Sequence, residues 1–396
     1  SGMSAQQRLR DQLFERLFAG TRVGRRLPIG IAEVIEKAPR SEFEDYYRTW
    51  YRPERMTLIL VGDSAPEPLL PLVEEWFGTY EPQRPARPEQ GPELQPFTQE
   101  RAFVFSDPEY ADGDVDLYDI RPARPPTTTV AQARVDLVEQ IGTWIIGRRY
   151  ADRVKKGEAA YRTASAGVSN FLQGGMLVNA SATGEPGDWE KMLDELVLEI
   201  TRARTHGFTA RELELARKEL TAGAERAVRT ESTRNARAVL MQLTADVNDG
   251  EPTLSAQQNL DLLNRLLPDI TLEEVNRTFA ENFKPGTFAF VLTLPAKEGV
   301  KLPTEDEVLA AARAAQARVA DPPAEEARAT ELLAELPKPG SVSEQTFDEA
   351  LGITSAWLSN GVRVHHRFMD YKKDTVLVSI ALAGGEIGRA SCRERV

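Results

Sequence analysis

Thr271-Leu272-Glu273-Glu274, then a helical run that stops at Phe283-Lys284-Pro285, then Thr287-Phe288-Ala289-Phe290-Val291-Leu292, is the stretch that decides how this chain folds. A Thr followed three residues later by Glu has capping-box form, because each side chain can satisfy a backbone N–H that the first helical turn leaves open. Proline then ends the helix, since it restricts the residue before it and offers no N–H. The run after that stop, Thr287 and five apolar residues rich in β-formers, reads as a strand buried on both faces. The same device stands earlier in the chain. Ser41-Glu42-Phe43-Glu44 opens a helix, Tyr51-Arg52-Pro53 stops it, and Met56-Thr57-Leu58-Ile59-Leu60-Val61 reads as a second buried strand. Solenoid repeats recur every ~20–50 residues. The spacing here is far longer and implies duplicated domains.

Working outward, residues 6–19 place Leu9, Leu13, Leu17 and Phe18 at helical spacing, with Gly20 as a stop. Residues 69–77 return to helical period after the first predicted strand. Pro82, Pro85, Pro88, Pro92 and Pro96 then mark 81–100 as a linker that cannot pack a core. Beyond it the patterning predicts strands at 102–105, 115–120, 161–168 and 175–183. Helices are predicted at 127–154, 189–206, 209–230, 254–267 and 306–320. The prolines and glycine of 321–352 read as a second linker. Asn360-Gly361 between two strand-like runs signals a hairpin, with a third strand expected at 375–383. Ile387 to Val396 matches what a common sequencing adapter encodes in frame, so it is set aside together with Cys392, the only cysteine.

Composition narrows the function. The 396 residues carry 49 Lys and Arg against 61 Asp and Glu, a net charge of -12, which disfavours nucleic acid as a partner. Apolar runs are strand-sized, so no membrane span is expected. No phosphate loop, dinucleotide glycine pattern or nucleophile elbow is present.

Arg26-Leu27-Pro28-Ile29-Gly30, Trp50-Tyr51-Arg52-Pro53, Met56 through Val61-Gly62-Asp63, and Trp76-Phe77-Gly78, in this order and at these intervals, resemble the insulinase or pitrilysin (M16) family of zinc peptidases. Trp357-Leu358-Ser359-Asn360-Gly361-Val362-Arg363-Val364, with Gly384-Gly385 downstream, looks like the opening strands of another unit of that family. The resemblance implies an α+β fold of repeated M16-like α/β domains, each an antiparallel or mixed sheet with helices packed on one face. It divides the chain into the end of a first domain (1–80), the linker 81–100, a non-catalytic second domain (101–320), the linker 321–352, the start of a third domain (353–386) and the adapter-like tail (387–396).

Family members hold zinc through an inverted His-x-x-Glu-His helix and a distant glutamate, inside a clamshell that closes on peptides. Alignment of the motifs puts those ligands upstream of Ser1. The resemblance therefore implies a parent zinc metalloendopeptidase acting on peptides or unfolded polypeptide, completed by further M16 domains of the same chain or a partner subunit. It also implies that this stretch is inactive and carries no zinc of its own. A non-catalytic assembly or docking subunit of the same superfamily is the alternative. No catalytic or metal-binding residue is assigned, and the substrate-binding residues stay open.

The remaining candidates read as structural. His206 stands where a helix should end beside Gly207. His365 and His366 are neighbours on a strand, so they point to opposite faces, one at the surface and one inside. Glu15 reads as an exposed helix residue, and Tyr51 and Pro53 as a helix stop with aromatic packing. Asn179 and Asn276 fit a glycosylation triplet that chance supplies often. Asp188, Glu190, Asp194, Glu195 and Glu199 read as a solvated helix face.

Overall fold

A computed structural model describes residues 4–26, 30–323, 335, 338–373 and 375–381. In chain order the helices are α1 (Ala5–Leu17), α2 (Arg22–Arg25), α3 (Ala32–Lys37), α4 (Arg40–Trp50), α5 (Leu70–Phe77), α6 (Val130–Lys155), α7 (Trp189–His206), α8 (Ala210–Thr230), α9 (Ala236–Asp249), α10 (Ala256–Leu266), α11 (Leu272–Asn282) and α12 (Glu305–Ala317). The strands are β1 (Arg101–Asp107), β2 (Gly113–Pro122), β3 (Tyr161–Phe171), β4 (Gly175–Gly184), β5 (Ala289–Pro295), β6 (Val342–Asp348), β7 (Ile353–Leu358) and β8 (Arg363–Arg367). They form two compact units, one of residues 1–222 and 236–324, the other of 223–235 and the described residues beyond 324.

The first unit is built on a mixed sheet in the order β1-β5-β2-β4-β3. β1 runs parallel to β5, and the other neighbours are antiparallel. All seven residues of β5 are buried, which explains the unbroken apolar run. Phe290, Leu292 and Leu294 face one core, while Ala289 and Val291 face the opposite side of the sheet. The deciding stretch forms the expected helix and strand, but only half of the capping box, because the Glu274 carboxylate turns to Arg134. Thr271 caps α11 by accepting from Glu274 N, and Phe283 ends that helix.

The main helical layer covers one face. α6 starts on a full capping box between Thr129 and Gln132 and buries Leu137, Val138, Ile141, Ile145, Ile146 and Tyr150. α7 buries Met192, Leu193, Leu196, Val197 and Ile200 beside it. A Cβ at Gly142 would meet the Phe279 ring at 3.4 Å, so glycine lets α11 lie close against α6. On the opposite face α1 covers β1, β5 and part of β2. Its Leu9, Leu13 and Leu17 pack on Phe103, Phe105, Val291 and Tyr118. Arg8 fastens it by reaching both carboxylate oxygens of Asp107 at 2.8 Å.

Several expectations are corrected. Met56–Val61 is extended but belongs to no ladder, and Leu58 and Leu60 are half exposed. A strand needs a neighbour for its backbone, and the chain around this one is helical on both sides. The Ser41 capping box does not form either, because α4 begins one residue earlier with Pro39 as its cap. In the second unit, β6 lies inside the stretch read as linker and pairs with β7, which pairs with β8. The strand expected at 375–383 is absent over 375–381, where Val376 and Leu377 stand exposed; Leu382 and Ala383 lie outside the described residues. The proline-rich segment 81–100 carries no helix or strand, but contrary to the linker reading it adds to the core: Phe97 is buried, with Leu94 packed on the same cluster.

Candidate functional site

The terminal strands of the first unit's sheet are treated differently. β1 has its outer backbone engaged at Val104, whose N–H donates to Glu305 Oε1 at 3.4 Å and whose carbonyl accepts from Arg16 Nη1 at 3.5 Å. No strand pairs with the outer edge of β3 among the described residues. Folded proteins usually guard such an edge with Lys, Pro or a bulge. The bulge of β3 lies at its start, between Tyr161 and Thr163, and the run Thr163–Phe171 contains neither Lys nor Pro.

Along that edge runs a cavity of about 390 Å³, bordered by Gly167–Asn170 of β3, the outward ridge of α6 and the 124–127 segment. Sequence chemistry shapes its walls. Pro125-Pro126 break the chain before α6, and two bonds then pin Thr127. Its N–H donates to Glu251 Oε1 at 3.0 Å and its hydroxyl to Asp136 Oδ2 at 2.6 Å. Arg124 grips Glu139 with two nitrogens at 3.0 and 2.8 Å, and Asn282 donates to the same carboxylate at 3.0 Å. The result is a trough beside a strand edge that no strand among the described residues pairs. Such an arrangement suits an extended peptide that adds itself as a further strand.

The uncovered half of the sheet's outer face is polar. Asp114 accepts from Thr183 at 2.7 Å and from Tyr110, and Ser165 bonds Ser181 at 3.0 Å. Asp116 lies in register between Val291 of β5 and Ser181 of β4. Burial, then the charge of Asp114, push its carboxyl up from 3.8 to about 7, against a lowering bond from Tyr118. The folded chain thus keeps a proton there that the unfolded chain releases near 3.8. Stability is expected to fall as pH rises from about 4 to about 7 and to level off above. Asp116→Asn should therefore gain stability over the parent at pH 8 and lose that gain by pH 4 in urea titrations. A gap that is the same at both pH values would refute the assignment.

The α7 acidic residues are only partly a solvated face. Glu199 is buried and pairs with Arg149 at 3.3 Å and with Arg202. Glu195 accepts from Ala160 N at 3.0 Å, and Asp194 meets Arg318. The solvated reading fails because Arg149 and Arg318, which answer Glu199 and Asp194, lie far away in sequence, and Arg202 joins them from three residues on. His206 ends α7, with Nε2 2.7 Å from Ala320 O and Gly207 following at φ 74. His365 and His366 are both exposed, which corrects the expected interior one; Ser355 Oγ lies 2.9 Å from His365 Nδ1. Asn276 is engaged, accepting from Phe208 N at 2.7 Å. Asn179 lies on β4 and Glu15 is exposed on α1. Tyr51 caps α4 and stacks on Tyr47 with ring centroids 4.7 Å apart. Pro53 opens a short 3-10 turn. Among the described residues no three His, Cys, Asp or Glu side chains gather where they could hold a metal ion. No described helix is long and apolar enough to cross a membrane.

No residue of the β3 trough stands out in the sequence. The available signal is the unguarded run Thr163–Phe171, which matters only once topology makes β3 an edge.

Residues 37–220 match the family model described as the Peptidase M16 inactive domain. Over 389 residues the chain is 22% identical to a zinc protease PQQL-like protein of Arabidopsis thaliana, covering 96% of this chain and 37% of that protein. The crystal structure of the periplasmic protease PqqL from Escherichia coli superimposes with a TM-score of 0.74 at 20% identity, covering 91% of this chain and 40% of that one. The ferredoxin protease FusC, solved with Arabidopsis ferredoxin, gives a TM-score of 0.66 at 20% identity over 92% of this chain and 40% of its own. Residues 37–220 thus resemble the M16 inactive domain, and the chain has the α+β fold its sequence implied. It spans less than half the length of these relatives.

Proposed function

We propose that this chain is a non-catalytic, peptide-holding part of an M16-type zinc endopeptidase. The observation that carries the reading is the open edge of β3 beside its trough. An extended polypeptide laid there gains main-chain hydrogen bonds without regard to its sequence, which suits an enzyme that must hold varied peptides. The names of the relatives, zinc proteases, support zinc in the parent protein. Among the described residues no group of donors gathers to hold it, and the proposal assigns no bond-breaking step to these residues.

The exposed apolar side chains of residues 31–77, among them Ile35, Phe43, Leu60 and Trp76, support a partner that covers them. That partner is a further M16 domain of the same chain or of another subunit. The domain division inferred from the sequence, with its second domain at 101–320, remains part of this proposal.

Purified chain is expected to bind a labelled, unstructured peptide in fluorescence anisotropy, to leave it uncut, and to contain no stoichiometric zinc. One zinc per chain with chelator-sensitive cleavage would overturn the non-catalytic half of the proposal. Absence of peptide binding would overturn the other.

A further inference from the structure

The trough beside β3 is unbalanced in charge. Its lining includes one arginine, Arg124, and three carboxylates, Asp136, Glu139 and Glu251. Counted formally, these side chains give a charge of −2. The three acids are not equivalent. Glu139 has a nearly buried side chain, and both its oxygens are taken by Arg124 and Asn282. Glu251 already accepts the Thr127 N–H. Asp136 and Glu251 are the two with no cation in close contact, and Asp136 is the one that stands on the α6 ridge. One oxygen accepts a neutral hydroxyl, and the other lies 3.5 Å from an Arg124 nitrogen that is held closer, at 2.8 Å, by Glu139. Its side chain is 44% exposed, open to the trough and to solvent.

From this we infer that the trough selects extended peptides that carry a Lys or Arg side chain opposite Asp136. The inference rests on the peptide reading of the β3 edge and adds its specificity. A strand added to Gly167–Asn170 alternates its side chains between two directions. One set points toward the α6 ridge, where Asp136 offers a carboxylate whose charge is only loosely answered. A basic side chain completes that carboxylate's pairing, a neutral one leaves it to water, and an acidic one meets two units of uncancelled negative charge. Backbone pairing supplies affinity in this arrangement, and Asp136 supplies discrimination.

The test uses the full chain and three N-acetylated, C-amidated, fluorescein-labelled peptides of one Val/Thr/Ser sequence, with Lys, Gln or Glu at the central positions. Blocked termini remove any charge but that of the side chains. In anisotropy titrations at low salt the Lys peptide is expected to bind about tenfold tighter than the Gln peptide, and the Glu peptide more weakly still. The advantage should shrink as salt rises, because the pair is partly exposed. Asp136→Asn keeps an acceptor for Thr127 and should bring the Lys and Gln peptides to near-equal affinity. Asp136→Lys should invert the order of Lys and Glu, and circular dichroism melts show whether either variant still folds. Equal binding of all three peptides, or a Lys preference that survives Asp136→Asn, would overturn the inference while leaving the edge reading intact. If none of the three binds, the edge reading fails and takes the inference with it.

Discussion

Arg149→Met is expected to remove about 3–5 kcal/mol of unfolding free energy, the cost of stranding buried carboxylates. Arg149 ties three helices together. From α6 it reaches Glu212 of α8 at 2.6 and 2.9 Å and Glu199 of α7 at 3.3 Å, and it donates to Gly207 O at 3.2 Å. Its guanidinium also lies 5.1 Å from the centre of the Phe208 ring. Burial alone would raise the Glu212 carboxyl, but the Arg149 and Thr209 bonds outweigh it and hold the group below 4.5. Its folded value is depressed, so its share of stability is present above 4.5 and is lost as pH falls through the lower folded value. Methionine keeps the apolar stem and deletes the charge. Glu199 is then left with Arg202, and Glu212 with the Thr209 N–H and hydroxyl, in a poorly hydrated space. Adding Glu212→Gln should return a large part of the loss, because it removes one stranded charge. A loss under about 1 kcal/mol, measured by urea unfolding, would mean that water reaches these groups freely.

Phe290→Ala should cost about 3–5 kcal/mol by the same measurement. Phe290 is fully buried in β5, in register with Ala102 on one side and Leu117 on the other. Truncation leaves a void under α6 and α11 that their rigid packing fills poorly. Leu60→Ala is the instructive partner. Leu60 stands in the run that the sequence sets equal to β5, yet it is 57% exposed, so its truncation should change stability by no more than about 0.5 kcal/mol. A comparable cost at both positions would show that 56–61 is packed after all.

That contrast explains what the sequence could and could not reveal. Helices α6, α7 and α11 were legible because their caps, period and stops are local signals, and the structure places α7 over the residues the pattern predicted. β5 was legible because both its faces are buried. The run 56–61 carries the same local message, but a strand is finished by a neighbour, and no local pattern contains one. β6 was missed for the converse reason. Its polar residues 343–346 read as linker, and pairing with β7 makes them a strand. The solvated reading of Glu199 failed at the same link, since Arg149 lies fifty residues away in sequence and becomes a partner only by packing. The trough was the least legible feature. Asp136 is an ordinary outward residue of a helix until β3 is known to be terminal in the sheet and the 124–127 segment is seen to fold back over α6.

The peptide-holding role of β3 is tested most directly by hydrogen–deuterium exchange of the full chain with and without a saturating extended peptide. The account predicts that exchange slows in the 163–171 backbone and leaves β1, whose outer edge is already engaged at Val104, unaffected. Bound peptide with unchanged exchange in β3, or with protection confined to strands other than β3, would contradict it.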